Sequence, residues 1–391
     1  MRFWHTLLAS IATEGPDAAV AMMKTWFGGT WPPRRDAIRF IGWTIYNSVD
    51  LDTSQREVAE RIASGVESAV GRPWAMPTTE ARPVMTYTAE DIADCHRPLI
   101  WYLLLQSAHR GVDFLMRHCG FELRHVTDVG TGRHLLSYWC RHALPGASVP
   151  VVFLHGVMGF VPYVLTLYQL ATSHKGILLL PVFPAACIAA PLRHWHRDAA
   201  LPVDDLVGAL RIMISRHSAD GQLPRAAWFA HSLGTAVLAS VLKQAPELAV
   251  GAVFSDPICF DLASGDVLRN FLYARPALKL RNWYHLIQVR AAARSGCWLA
   301  CVVCVGPCAP CEACKVRMAR GSLWAKRHRN IHTQGIFVSG EPSIQFCFRR
   351  AFWWSHGWLH PNDLPCDALI VLSGHDTVVR QLESNQMAAR Q

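Results

Sequence analysis

The sequence predicts an α/β fold, a mostly parallel sheet with helices on both faces. Short, continuously apolar segments alternate with amphipathic helical segments, as expected of strands that are buried between two helical layers. An antiparallel hairpin, 121–127 and 135–140 around Gly130-Thr131-Gly132, precedes them. The chain of 391 residues, 51% hydrophobic and 17% charged, is long and apolar enough for a large core. The predicted buried strands are 151–154, 176–182, 226–230, 250–254 and 368–372.

Four parts follow from this pattern. We expect a helical N-terminal extension (1–120), an α/β core (121–260), a cap (261–365) and a late core strand (366–391). Residues 98–119 form a long apolar helix, a pattern more typical of packing on a core than of lying on a membrane surface. Both interpretations stay open at the level of sequence.

The charge of the chain is local. Of the net charge of +9, +8 comes from residues 281–330, which contain nine Lys or Arg and one acid. A basic surface across the whole fold is therefore not expected, and nucleic acid is not a predicted partner. No run of 18 apolar residues and no convincing signal peptide is present, so we expect a cytoplasmic protein or one with peripheral membrane contact.

One serine lies in a sequence pattern typical of a catalytic nucleophile. Ser232 stands in Ala230-His231-Ser232-Leu233-Gly234, between a predicted buried strand and a predicted helix. A sharp turn of this kind exposes a serine hydroxyl and requires small residues around it. Ser232 is therefore the candidate nucleophile, with Ala230 in place of the usual first glycine.

A second loop fits the same chemistry. His155 and Gly156 follow the strand 151–154 and precede Val157. Acyl transfer requires backbone N–H donors for the developing oxyanion, and we expect Val157 and Leu233 to supply them. His155 is expected to be structural.

An acidic residue follows each of the last two predicted strands. Asp376 comes after 368–372 and is the candidate acid that orients a base, while Asp256, after 250–254, is the alternative. Asp256 is also explained as a turn residue before Pro257.

These elements resemble the α/β-hydrolase superfamily, in which oxyanion loop, serine turn and acid occur in this order. Segments 23–27, 94–99 and 352–359 are similar to a little-characterised group of predicted hydrolases of microbial eukaryotes. The resemblance implies ester hydrolysis without a cofactor. The tryptophans Trp353, Trp354 and Trp358 favour an apolar, lipid-like ester as substrate.

The sequence departs from this pattern after the acid. The family's catalytic histidine follows one more strand, and the 15 residues after Asp376 contain no histidine. Loss of that histidine costs on the order of a million-fold in turnover. The sequence is therefore either truncated before the last helix and strand, or it is an inactive relative that binds an apolar ligand or a partner protein. A substitute base, His356 or His360, is a weaker hypothesis.

The second departure is a cysteine-rich block, which contains six of the 13 cysteines, between Cys297 and Cys314. We interpret 293–330 as an insertion. Zinc binding through Cys301, Cys304, Cys311 and Cys314 is a weaker alternative, because Cys-x2-Cys pairs suit a tetrahedral zinc ion. The seven isolated cysteines are expected to be reduced.

Overall fold

The fold was analysed in a computed structural model. It describes residues 4, 15–76, 84–92, 99–128, 130–142, 149–183, 186–187, 202–218, 224–273 and 338–372. Several predicted features lie outside these ranges. They are Asp376, the insertion 293–330 with its cysteine block, and the segment 373–391.

The core is a sheet that, within the described residues, has seven strands in the order β1-β2-β4-β3-β5-β6-β7. The strands are β1 (Glu122–Thr127), β2 (His134–Arg141), β3 (Val151–Leu154), β4 (Leu178–Val182), β5 (Ala226–His231), β6 (Ala249–Ser255) and β7 (Ala368–Val371). From β4 to β7 all neighbouring pairs are parallel, and β2 is antiparallel to both β1 and β4. The predicted mostly parallel sheet with a leading hairpin is confirmed.

Seven helices of ten or more residues surround or precede the sheet in the described part of the chain. They are α1 (Pro16–Trp26), α2 (Arg34–Tyr46), α3 (Thr53–Val70), α4 (Leu99–His118), α5 (Val164–Ser173), α6 (Val203–Ser215) and α7 (Leu233–Gln244). Shorter helical turns are Val161–Tyr163, Pro246–Leu248, Asp266–Leu268, Arg269–Tyr273, Pro342–Phe346, Cys347–Ala351, Trp354–Gly357 and Pro361–Asp363.

The helices cover both faces of the sheet. On one face α4 and α5 contribute Val112, Met116 and Leu167 to a cluster with Phe153 of β3. On the other face α6 and α7 pack against Val152, Leu154 and the strands beside them. Successive residues of β3 therefore point to opposite helical layers, which explains why this strand is apolar throughout.

The N-terminal helices and the cap form one hydrophobic cluster. The ring of Trp26 in α1 lies 5.2 Å from that of Trp354, and its Nε1 donates to the carbonyl of Ala263 at 2.8 Å. Trp354 is fully buried, and Trp353 stacks edge-on against Trp43 at 5.3 Å. These tryptophans are packed between the extension and the cap, so they no longer support the prediction of an apolar substrate.

A buried arginine connects the same two parts. Arg349, 4% exposed in its side chain, contacts Glu90 at 2.9 Å and donates to the carbonyl of Tyr87 at 3.2 Å. Its guanidinium also lies 5.5 Å from the centre of the Tyr273 ring. The division of the chain at residues 120, 260 and 365 stays a prediction. The N-terminal extension and the cap nevertheless pack against each other.

The described cysteines are all free thiols: Cys119, Cys140, Cys187, Cys259, Cys347 and Cys366. Burial raises the pKa of Cys259 to about 12 and that of Cys140 to about 11. At neutral pH both are therefore thiols that pack as small apolar groups.

Candidate active site

Ser232 occupies a sharp turn between β5 and α7. Its backbone has φ 52° and ψ −120°, a region that side-chain-bearing residues rarely adopt. Such a conformation costs about 1–3 kcal/mol and persists only where the surroundings enforce it. The Ser232 N–H donates to the carbonyl of Ser255 at 3.0 Å, which ties the turn to the end of β6. The serine thus lies in the strand–turn–helix context that its motif requires.

Two glycines allow the backbone to approach this turn. A Cβ on Gly234 would stand 2.3 Å from the carbonyl oxygen of Leu154, a distance that no packing tolerates. A Cβ on Gly156 would stand 2.8 Å from the Tyr163 hydroxyl and 3.0 Å from the Cβ of Ser232. The loop after β3 therefore lies directly against the serine, as predicted.

The predicted oxyanion donors lie in this neighbourhood. The N–H groups on either side of Val157 are engaged, since Gly156 donates to Tyr163 Oη at 3.0 Å and Met158 to the carbonyl of Ala186 at 2.9 Å. Leu233 is the first residue of α7, and the first N–H groups of a helix have no partner inside it. The assignment of Val157 and Leu233 as oxyanion donors stays a prediction. The helix N-terminus adds a positive partial charge there.

His155 has the structural role expected of it. Its Nδ1–H donates to the carbonyl of Gly156 at 2.7 Å, and its Nε2 accepts from the N–H of Phe183 at 3.1 Å. Burial lowers its pKa to about 4, so the ring is neutral at pH 7. It holds the loop after β3 to the end of β4.

A buried polar chain, not predicted from sequence, lies behind the serine. The Tyr163 hydroxyl accepts from the Gly156 N–H and donates to Nδ1 of His231 at 2.6 Å. With Nδ1 as acceptor, the ring carries its hydrogen on Nε2, which faces Asp256 Oδ2 at 3.5 Å. Burial raises the pKa of Tyr163, which keeps its hydroxyl protonated.

Asp256, the alternative acid, therefore orients a histidine, but the one that precedes the serine. Its side chain is 9% exposed, its φ is 45°, and its N–H donates to the carbonyl of Val371 at 2.8 Å. The register of the two strands explains this pair. His231 and Ser255 are register partners at the ends of β5 and β6, so Asp256 follows directly beside the turn.

The proposed substitute bases lie elsewhere. The carbonyl of His356 accepts from Ser240 Oγ at 2.9 Å, and Ser240 is eight residues beyond Ser232. At 1.5 Å per residue, that is roughly 12 Å along the axis of α7. His360 uses Nδ1 to accept from the N–H of Asn362 at 3.2 Å. Neither ring has a recorded bond to Ser232 among the described residues.

No metal site is present in the described part of the chain. No group of three or more His, Cys, Asp or Glu side chains is placed there to hold an ion. The predicted zinc ligands Cys301, Cys304, Cys311 and Cys314 lie outside the described residues, as does the acid Asp376. Both hypotheses stay predictions.

Comparisons with known proteins give matches only at the level of structure. No family model and no curated protein matches the chain. A Bacillus subtilis protein described as a hydrolase is 11% identical (TM-score 0.30), over 42% of this chain and 55% of its own. One of two Rhizomucor miehei esterases is 14% identical (TM-score 0.30), over 47% and 58%. The α/β hydrolase MGS-M2, from a Medee basin deep-sea metagenome, is 12% identical (TM-score 0.37), over 64% and 80%.

The first two matches span little more than half of those proteins' length. The chain's own geometry gives an α/β fold, with a mostly parallel sheet and a strained serine between β5 and α7. These are the features in which the chain resembles the α/β-hydrolase superfamily.

Proposed function

We propose that the protein is a serine hydrolase that cleaves carboxylic esters in two steps. Ser232 Oγ attacks the ester carbonyl as its proton passes to a base, and the Val157 and Leu233 amides stabilise the oxyanion. The tetrahedral intermediate then expels the alkoxide, which takes the proton from the base and leaves as the alcohol. Water then releases the acid from the acyl-enzyme. Each oxyanion donor typically contributes about 3 kcal/mol to lowering the barrier.

The observation that carries this proposal is the backbone of Ser232. A φ of 52° at a serine is unfavourable, yet two segments hold it there: β6 through Ser255 and the loop at Gly156. Strain that is enforced from two sides is typical of a residue whose hydroxyl must be presented for chemistry.

The surroundings of the turn support an apolar acyl group. Val157, Met158 and Phe183 are half-buried apolar residues around the loop that carries the Val157 donor. An ester with a hydrocarbon acyl chain would cover such side chains, with a gain proportional to the apolar area removed from water.

The hydrolase requires a histidine oriented by Asp376 as the proton acceptor for Ser232, and the sequence contains no histidine after Asp376. Among the described residues, His231 is engaged by Tyr163 and Asp256. That observation favours a second candidate function, a binding module that holds an apolar ligand beside Ser232 without hydrolysing it.

Hydrolysis of p-nitrophenyl esters of increasing acyl length separates the two. We expect the native protein to release nitrophenol, fastest with the longer acyl chains, and Ser232→Ala to lose on the order of a thousand-fold or more in kcat/KM. Ser68→Ala, an exposed serine of α3, is the matched control and should be unchanged. Equal activity of Ser232→Ala would refute the serine hydrolase. A native protein that binds but never cleaves these esters would establish the binding module.

A further inference from the structure

Helix α4 has two apolar faces, and only one of them is used in the core. Leu105, Val112 and Met116 are buried, the last two against the sheet. The opposite face is exposed to solvent. It carries Leu99 (72% exposed), Ile100 (62%), Leu103 (53%), Leu104 (57%) and Phe114 (72%).

Helix α5 also exposes apolar side chains. Leu165 is 52% and Tyr168 is 50% exposed. A narrow apolar groove between the helices, lined by Val112, Leu115 and Tyr168 among others, shows that α4 and α5 lie side by side. We call these seven exposed side chains (Leu99, Ile100, Leu103, Leu104, Phe114, Leu165 and Tyr168) the α4–α5 apolar surface.

The number of large apolar side chains on this surface is unusual. Single exposed apolar residues are common on soluble proteins, but large patches mark interaction sites. From Ile100 to Phe114 the helix rises about 21 Å, so the exposed residues of α4 form an extended strip. No helix among the described residues is long and apolar enough to cross a membrane.

The charges beside the strip indicate which partner it fits. Within the two helices Arg110 and Arg117 are the Lys or Arg residues, Asp113 is the one acid, and α5 carries no charged side chain. Arg110 falls on the exposed side of α4, between Leu103 and Phe114 along the helix. Arg117 lies over the ring of Trp139 in the sheet, so Arg110 is the cation that accompanies the strip. An apolar strip with an arginine on it is complementary to a bilayer with anionic headgroups, whereas a second copy would place the two Arg110 side chains together.

The position of the strip relative to the serine fits the same partner. His109 of α4 approaches the loop after β3, with its Cε1 3.2 Å from the point where a Cβ on Gly159 would stand. Gly159 is two residues beyond Val157. The loop therefore lies on the inward face of α4, and a membrane on the exposed face would be about one helix diameter, roughly 10 Å, from the loop that carries a proposed oxyanion donor.

We propose that the α4–α5 apolar surface binds the protein to anionic phospholipid bilayers, with α4 lying in the plane of the interface. The proposal goes beyond ester hydrolysis and does not depend on it, since binding needs no reactive serine. Taken together with the proposed function, it would place the protein where apolar esters are concentrated.

Flotation with lipid vesicles tests the proposal on the full chain. We expect the native protein to float with phosphatidylcholine vesicles that contain phosphatidylserine. The double variant Leu103→Glu with Phe114→Glu should lower the vesicle partition coefficient about 30-fold or more, because two apolar side chains that would be buried in the bilayer are replaced by charged ones. Arg110→Gln should lower it about fivefold on the anionic vesicles only.

Two controls separate the outcomes. Met76→Glu changes an 82% exposed apolar residue after α3 and should float like the native protein. Ser232→Ala should also float, so a failure of the hydrolase proposal leaves this test intact. Equal flotation of the native protein and the double variant would overturn the proposal, as would a native protein that does not float. A dimer that the double variant abolishes, without flotation, would show a self-interface instead. Equal binding to pure phosphatidylcholine would overturn the anionic assignment.

Discussion

Replacement of Gly234 by alanine probes how closely the serine turn is packed. Gly234 is the second residue of α7, where alanine is normally preferred over glycine by about 1 kcal/mol. The structure reverses that expectation. The new Cβ would stand 2.3 Å from the Leu154 oxygen and 2.9 Å from the His155 oxygen, both backbone atoms of the loop after β3.

Because backbone atoms cannot rotate away, α7 and the loop must move apart. Overpacking of this kind typically costs about 1–3 kcal/mol or more, and we expect Gly234→Ala to lose about 2 kcal/mol net of the helix preference. The same movement would shift Val157 away from Ser232. Ester hydrolysis should therefore fall together with stability.

The assay is denaturant unfolding followed by tryptophan fluorescence, with Gly65→Ala as the matched control. Gly65 lies in α3, and a Cβ there meets no atom within 4 Å. We expect Gly65→Ala to raise the free energy of unfolding by up to about 1 kcal/mol. A Gly234→Ala protein as stable as Gly65→Ala would show that the loop does not lie against the turn.

Three further substitutions test the contacts around the site and the cap. Tyr163→Phe removes the acceptor of the buried Gly156 N–H and should cost about 1–3 kcal/mol in unfolding free energy, with slower ester hydrolysis. The pKa of His155 is lowered from 6.5 to about 4, so its contribution is complete above pH 6.5 and is lost as the pH falls toward 4, by about 3 kcal/mol. His155→Gln should reduce the dependence of the melting temperature on pH between 6.5 and 4. A variant whose melting temperature depends on pH as in the native protein would contradict the assignment. Arg349→Met should cost about 2–3 kcal/mol in thermal unfolding, because Glu90 loses its counter-charge and the Tyr87 carbonyl loses a donor. Arg34→Met, which breaks a surface pair, should cost less than about 1 kcal/mol.

The sheet and the serine turn were predictable because their signals are local. Each parallel strand is apolar on both faces, and the turn at Ser232 is encoded within five residues. The loop at Gly156 followed from the same reasoning, since it ends the neighbouring strand of the sheet.

Contacts between distant segments were not predictable in the same way. The chain of Tyr163, His231 and Asp256 joins residues that are 68 and 25 positions apart, and nothing local marks Tyr163. Packing of Trp26 on Trp354 connects the two ends of the described chain. Sequence alone suggested that such tryptophans contact substrate, and the structure places them in the core.

The two faces of α4 could not be told apart from the sequence. The helix is apolar on nearly all sides, so periodicity could not separate the face on the sheet from the exposed face. The sequence left core packing and membrane contact as alternatives. Burial of Val112 and Met116 assigns one face to the core, and the exposed Leu103 and Phe114 lie on the face that we propose binds a bilayer.

The most direct test of the central claim is fluorophosphonate labelling followed by peptide mapping of the native chain. A serine hydrolase should form one adduct, at Ser232, which Ser232→Ala abolishes and a long-chain ester slows by competition. The neighbouring Ser255, at the end of β6, should stay unlabelled. A folded native protein that gains no adduct at Ser232 would contradict the claim and leave ligand binding as the function of this pocket.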